Sequence, residues 1–172
     1  MKRQLLIGAG RLQDKRMGVE GETVWGDLVT LDSDPRTGAN VIHDLDDLPY
    51  LHFVEGEFDE IHAYEVLEHC GAQGDWRFFF AQFDEFWRML KPDGLFFATV
   101  PNARSVWAWA DPGHRRLILP ETLNFLSRAW TATAVAETCA SDYRGVFKGD
   151  WRVEGTDTSD EHSFRFILRA LK

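Results

Sequence analysis

An α/β fold built on a mostly parallel sheet is what this sequence predicts, on three observations. Short apolar runs end in small or acidic residues: Arg3 to Ile7 into Gly8-Ala9-Gly10, Leu28 to Leu31 into Asp32-Ser33-Asp34-Pro35, and Asn40 to His43 into Asp44-Leu45. A fourth run, Asp59 to Ala63, leads towards a long stretch of helical aromatic periodicity. A fifth then returns at Leu95 to Val100. Alternation of strand, helix and strand implies parallel pairing, with ligands at the carboxyl ends of the strands.

Each element has a local cause. Arg3 to Ile7 is the central strand, followed by a Gly- and charge-rich stretch, Arg11 to Gly26, with no sustained apolar stripe. The second and third strands are separated by too few residues for a helix, so the sheet is pared down. Asp75 is placed to cap a helix in which Trp76, Phe79, Phe80, Phe83, Phe86, Trp87 and Leu90 recur at helical spacing, a core-facing stripe. Lys91-Pro92-Asp93-Gly94 stops it, because proline cannot continue a helix and glycine takes the turn. Leu119-Pro120-Glu121-Thr122 starts another helix, through about Arg128. Two late β-type segments follow, Tyr143 to Val153 and His162 to Leu168. Trp107 and Trp109 share one side if extended, as the wall of an acceptor pocket or as a dimer contact.

The chain has 172 residues, which suits one domain over 1–172 burying about 70% of its unfolded surface. A net charge of −9 argues against broad contact with a phosphate backbone, which needs lysine and arginine to release counterions. Nucleic acid is therefore not an expected partner. Cys70 and Cys139 lack C-x-x-C spacing, and adjacent His69 and Cys70 point in different directions. No metal is expected. The apolar run after Lys2 and Arg3 is too short for a signal sequence, and no stretch approaches the roughly 18 apolar residues of a membrane span. A cytoplasmic location is expected.

The three strand ends carry a chemical pattern. Gly8 and Gly10 let a ligand approach backbone where a side chain would block it. Asp32, about twenty residues on at the end of the next strand, suits the two hydroxyls of a ribose. Asp44 falls where an adenine amino group would be. A plain turn accounts for Gly-x-Gly alone, and Asp34 before Pro35 reads as a turn acid. Asp44, Asp46 and Asp47 also fit a solvated acidic face.

In order, the chain shows Gly-x-Gly, Asp32 to Pro35, Asp44-Leu45, FDEIHAYEVLEH from Phe58 to His69, RMLKPDG from Arg88 to Gly94, VPN from Val100 to Asn102, and DPGH from Asp111 to His114. Over most of its length it thereby resembles the small class I S-adenosylmethionine-dependent methyltransferases. The resemblance implies a reduced Rossmann-like sheet closed by a C-terminal antiparallel hairpin, with S-adenosylmethionine as cofactor. It implies a cofactor site of Gly8, Ala9, Gly10, Asp32, Ser33, Asp44, Leu45 and Glu65. Asp32 would accept from the ribose, Asp44 from adenine N6 beside the Leu45 backbone, and Glu65 would lie near the methionine or sulfonium.

His114 and His69 are the candidate catalytic residues. His114 lies after the fifth strand, where acceptor-binding groups occur in this fold, and imidazole accepts a proton near neutral pH. Tying the loop to the strand ends is its structural alternative. Glu68 and His69 fit equally as polar residues of a first turn. Arg115 and Arg116 fit an anionic acceptor or a solvated pair. A first helix that is short or absent departs from the wider family, where its amides face the methionine end of the cofactor.

Methyl transfer to a small or carrier-borne acceptor is the leading function, with a homodimer compatible with Trp107 and Trp109. A non-catalytic binding module on a degenerate methyltransferase fold is the alternative, supported by the reduced first helix and the lack of a lid before Arg3. A nicotinamide-dependent dehydrogenase is disfavoured: no Tyr-x-x-x-Lys occurs, and Gln13 replaces the third glycine.

Overall fold

The computed structural model describes residues 1–172. Its strands are β1 (Arg3–Ile7), β2 (Asp27–Asp32), β3 (Val41–Ile42), β4 (Phe58–Tyr64), β5 (Leu90–Pro101), β6 (Trp151–Asp157) and β7 (Ser163–Ala170). They form one sheet in the order β3-β2-β1-β4-β5-β7-β6. Pairing is parallel from β3 to β5, and β7 runs antiparallel to both β5 and β6. The expected parallel sheet with a closing hairpin is what forms.

Strand alternation sorts the two faces. Leu5 and Ile7, Ile61 and Ala63, Phe96, Ala98 and Val100, and Phe164, Phe166 and Leu168 all join the larger core. Helix α1 (Trp76–Met89) packs there through buried Phe80, Phe83, Phe86 and Met89. The Asp75 carboxylate accepts from the Phe78 amide at 3.1 Å, the expected cap. Phe86 stacks on Phe96 with ring centres 4.9 Å apart. Each buried phenylalanine stabilises the fold by about 1.5–3 kcal/mol, so this stripe fastens α1 to the sheet.

The opposite face, including Gln4, Leu6, Glu60, His62 and Tyr64, is covered without a helix. Between β1 and β2 there is only a short turn at Val19–Gly21, as the missing apolar stripe predicts. A polar network fixes this segment. The fully buried Lys15 ammonium lies 2.8 Å from Glu22 and 3.2 Å from Glu60. The Met17 amide donates to the Tyr64 hydroxyl at 3.1 Å, and His62 stacks on Phe97 at 4.8 Å.

That network makes stability acid-sensitive. Burial pushes Glu60 up, but hydrogen bonds from His62, Lys2 and Gln4 and the charge of Lys15 outweigh it and hold the carboxyl below its ordinary range. Burial holds His62 below its ordinary value, against the pull of Glu60. Both folded values lie below the unfolded ones, so their stabilisation is complete above about pH 6.5 and shrinks on acidification, His62 first. Thermal midpoints should fall from pH 7 to pH 4. Glu60→Gln should cost about 3 kcal/mol at neutral pH by leaving Lys15 with only Glu22, and should flatten the acid side. Equal acid slopes in parent and variant would contradict this account.

Several elements differ from expectation. The helix stops after Met89, but Leu90 already pairs with Phe58, and Lys91 to Gly94 form a bulge inside β5. Asp93, at φ 61°, takes the left-handed position expected of Gly94. Gly94 is needed for close approach instead, since a Cβ there would lie 3.0 Å from the Lys91 carbonyl oxygen. Trp107 and Trp109 lie on a short helix, α2 (Trp107–Ala110), where residues two apart do not share a face. The expected helix ends early as α3 (Pro120–Asn124), and a separate helix, α4 (Arg128–Glu137), follows. Tyr143 to Asp150 is not strand: Tyr143 and Phe147 pack against Phe80 at 4.7 and 5.1 Å from a loop, and β6 begins at Trp151.

Candidate functional site

The carboxyl ends of β1, β2 and β4 splay around a groove of about 360 Å³. Two glycines shape its floor. Gly8 has φ 61°, and a Cβ there would lie 2.4 Å from Val66 Cγ2, so β4 could not approach β1 as closely with any other residue. Gly10 has φ 56° with nothing within 4 Å of a Cβ, leaving its side open. The Ala9 amide donates to the Leu31 carbonyl at 3.1 Å, stapling the glycine turn to β2.

Asp32 is fixed from both sides. Its Oδ2 accepts from the Gly10 amide and its Oδ1 from the Asp34 amide, each at 2.8 Å. A carboxylate has about four lone-pair sites, so two such bonds orient it and leave acceptor capacity facing the groove. Asp34 caps the turn at Pro35–Thr37 and pairs with Arg36, away from the groove, as a turn acid should. Exposed Asp44 accepts from the Asp46 amide at 2.9 Å. Asp46 is no solvated bystander: it accepts from the Gly71 amide at 2.9 Å and pairs with Arg115.

Gly8, Asp32, Ser33, Asp44, Leu45, Glu65 and His69 all line this groove. Glu65 follows β4 at φ 51°, a strained conformation for a residue with a side chain, and its carboxylate accepts only from the Ser163 hydroxyl, at 3.2 Å. Ala9 and Gly10 line an adjoining groove of about 330 Å³, which shares Gly8 with the first. Arg11, Arg16 and Tyr64 complete it, with the Arg16 guanidinium 5.4 Å from the centre of the Tyr64 ring. These cations went unassigned in the sequence. Their signal is two arginines within six residues of Gly10, where the usual helix is missing.

His114 lies behind His69 and does not line the groove. Its segment is stapled to the turn at Leu67–His69: the Arg115 and Arg116 amides donate to the Glu68 carbonyl at 2.8 and 3.3 Å. Arg116 is not the solvated half of a surface pair. It is buried, donating to the Leu67 carbonyl at 2.8 Å and to Gln82. Arg115 holds the His69 carbonyl at 2.6 Å as well as Asp46. The His69 and His114 rings meet edge to face at 4.8 Å. Burial, together with the charges of Glu65 and Asp111, pushes the Glu68 carboxyl up to about 8.

A separate cavity of about 210 Å³ lies between α1 and α3, walled by Trp76, Phe79, Phe80, Phe125 and Tyr143. Its one acid, Asp75, is spent on capping α1. It offers no free carboxylate to a ribose diol.

No protein-family model matches the chain, and no curated protein matches it in sequence. Solved structures do. A methyltransferase of S-adenosylmethionine-dependent type from Archaeoglobus fulgidus is 17% identical at a TM-score of 0.59, over 98% of this chain and 86% of that one. The 1,6-didemethyltoxoflavin-N1-methyltransferase of Burkholderia thailandensis, solved with its substrate and S-adenosylhomocysteine, is 17% identical at 0.60, over 99% of this chain and 72% of that one. The [4+2]-cyclase SpnF is 13% identical at 0.57, over 99% and 74%. Strand order, closing hairpin and these likenesses agree: the chain has the Rossmann-like fold of the class I S-adenosylmethionine-dependent methyltransferases.

Proposed function

We propose that this chain binds S-adenosylmethionine in the strand-end groove and transfers its methyl group to a small or carrier-borne acceptor. One observation carries the reading: Gly8, Asp32, Asp44, Leu45 and Glu65, chosen from sequence alone, converge on a single groove. The residues fit the cofactor. The open side of Gly10 admits a nucleoside against the backbone, and the doubly held Asp32 carboxylate presents acceptors for two ribose hydroxyls. Asp44 and the Leu45 backbone would take the adenine edge. Arg11 and Arg16, in the adjoining groove, supply positive charge for the methionine carboxylate in place of the missing helix amides.

When bound, the cofactor supplies an electrophilic methyl on a positively charged sulfur, and the Glu65 carboxylate favours that charge. His69 marks the acceptor side. The chain's task is positional, since displacement at carbon requires the acceptor to be held close to the methyl and in line with sulfur. The Burkholderia neighbour, with its small substrate, supports a small acceptor. The cyclase neighbour shows that the fold does not dictate the reaction, so the site must.

Calorimetric titration tests the reading. S-adenosylmethionine and S-adenosylhomocysteine should bind with one site per chain, and nicotinamide dinucleotides should not. No heat with either sulfur nucleoside at millimolar ligand would leave only the non-catalytic module.

A further inference from the structure

Behind the groove, Glu68, His69 and His114 bring a carboxylate oxygen and two imidazole nitrogens within 4.8 Å of one another. We propose that these three residues form a binding site for a divalent first-row transition cation, on the acceptor side of the groove. The site departs from the metal-free expectation based on the cysteines. The cluster goes beyond the cofactor reading, and only its placement on the acceptor side rests on that reading.

Four observations carry the proposal. First, the cluster holds unpaired polar atoms in a buried setting. The Glu68 and His114 side chains are 4% and 10% exposed, yet Glu68 Oε2 and His114 Nδ1 have no hydrogen-bond partner. Leaving the Glu68 oxygen unpaired costs about 1–3 kcal/mol, a penalty that a cation on the carboxylate relieves.

Second, His69 is set for ligation. Its Nδ1–H donates to the Gly113 carbonyl at 3.0 Å, which fixes the tautomer and leaves the Nε2 lone pair free. An outer partner of this kind is what orients metal-binding histidines. Gly113 permits the approach, since a Cβ there would lie 3.2 Å from His69 Nδ1.

Third, His114 Nε2 stands 3.8 Å from Glu68 Oε1 and 3.9 Å from Asp111 Oδ2. These separations are too long for hydrogen bonds and suit ligands of one ion. Asp111 is itself oriented, its Oδ1 accepting from the Gly113 amide at 2.7 Å. Ligands about 2.1 Å from a tetrahedral cation lie about 3.4 Å apart, so the widest pair must close by up to about 1.4 Å. Fourth, the two halves are already clamped by the Arg115 and Arg116 amides on the Glu68 carbonyl, so closure moves side chains rather than backbone.

Nitrogen and carboxylate donors in this ratio select a borderline divalent ion such as Zn²⁺, Co²⁺ or Fe²⁺. The test is titration of the metal-stripped chain with Co²⁺, read by visible absorption, and with Zn²⁺, read by calorimetry, in a Cys139→Ser background that removes the exposed thiol. One ion per chain is expected, with affinity falling at least a hundred-fold in both Glu68→Gln and His114→Gln. His162→Ala, which removes an exposed histidine beside Glu161, should bind as the parent does. Circular dichroism establishes that each variant is folded; if Glu68→Gln is not, His114→Gln decides. Absence of one-to-one binding at 100-fold excess of either ion, or equal binding by parent and folded variants, would overturn the proposal. S-adenosylhomocysteine binding, measured on the same stripped protein, separates failure of the metal site from failure of the cofactor reading.

Discussion

Replacing His114 with alanine is expected to lower turnover on the true acceptor by roughly 10²–10⁴, while affinity for S-adenosylhomocysteine stays within a few-fold of the parent. The asymmetry follows from position. His114 sits behind His69, outside the lining of the nucleoside groove, so its loss removes nothing that faces ribose or adenine. Two roles compete for the lost turnover. A free general base takes its activity without any cation, and its loss removes the acidic limb of the pH profile. A ligand in the Glu68–His69–His114 cluster takes cation content down together with turnover. Measuring bound cation and rate on the same preparations separates them. Full activity in His114→Ala would remove the residue from the mechanism, and a matching loss of nucleoside affinity would show that the loop folds over the cofactor.

Asp32→Ala is expected to weaken S-adenosylhomocysteine by roughly ten- to a hundred-fold, the effect of removing hydrogen bonds to a charged acceptor worth about 1.5–3 kcal/mol. Loss of the carboxylate also frees the Gly10 and Asp34 amides that it holds, so the glycine turn loses its anchor. Asp34→Ala is expected to do much less, because that carboxylate caps a turn and pairs with exposed Arg36. Parallel calorimetric titrations of the two variants check the contrast. Equal losses, or a larger loss in Asp34→Ala, would mean that the ribose lies elsewhere.

The parts of this molecule legible in the sequence are those with short-range causes. β1 matches its apolar run residue for residue, the Asp75 cap starts α1, and the aromatic stripe faces the core because 3.6-residue periodicity is local. The strand-end residues converge because a parallel sheet brings all its carboxyl ends to one edge, a consequence of topology rather than of any one contact. What was not legible depends on partners distant in the chain. Tyr143 and Phe147 resemble strand residues because they are aromatic, yet they pack on Phe80 from a loop, Phe147 buried and Tyr143 half-buried. α4 carries little amphipathic signal, with Thr131 its one buried residue, so its pattern resembles a loop. The buried Arg116 and the unpaired Glu68 belong to a junction between residues 67–69 and 111–116, which no local pattern reveals.

A crystal structure of the chain with S-adenosylhomocysteine tests the central claim most directly. The account predicts density in the strand-end groove, with the ribose hydroxyls on Asp32, the adenine edge at Asp44 and Leu45, and the homocysteine carboxylate towards Arg11 and Arg16. Nucleoside density in the apolar cavity between α1 and α3, or in the groove with Asp32 untouched, would contradict it.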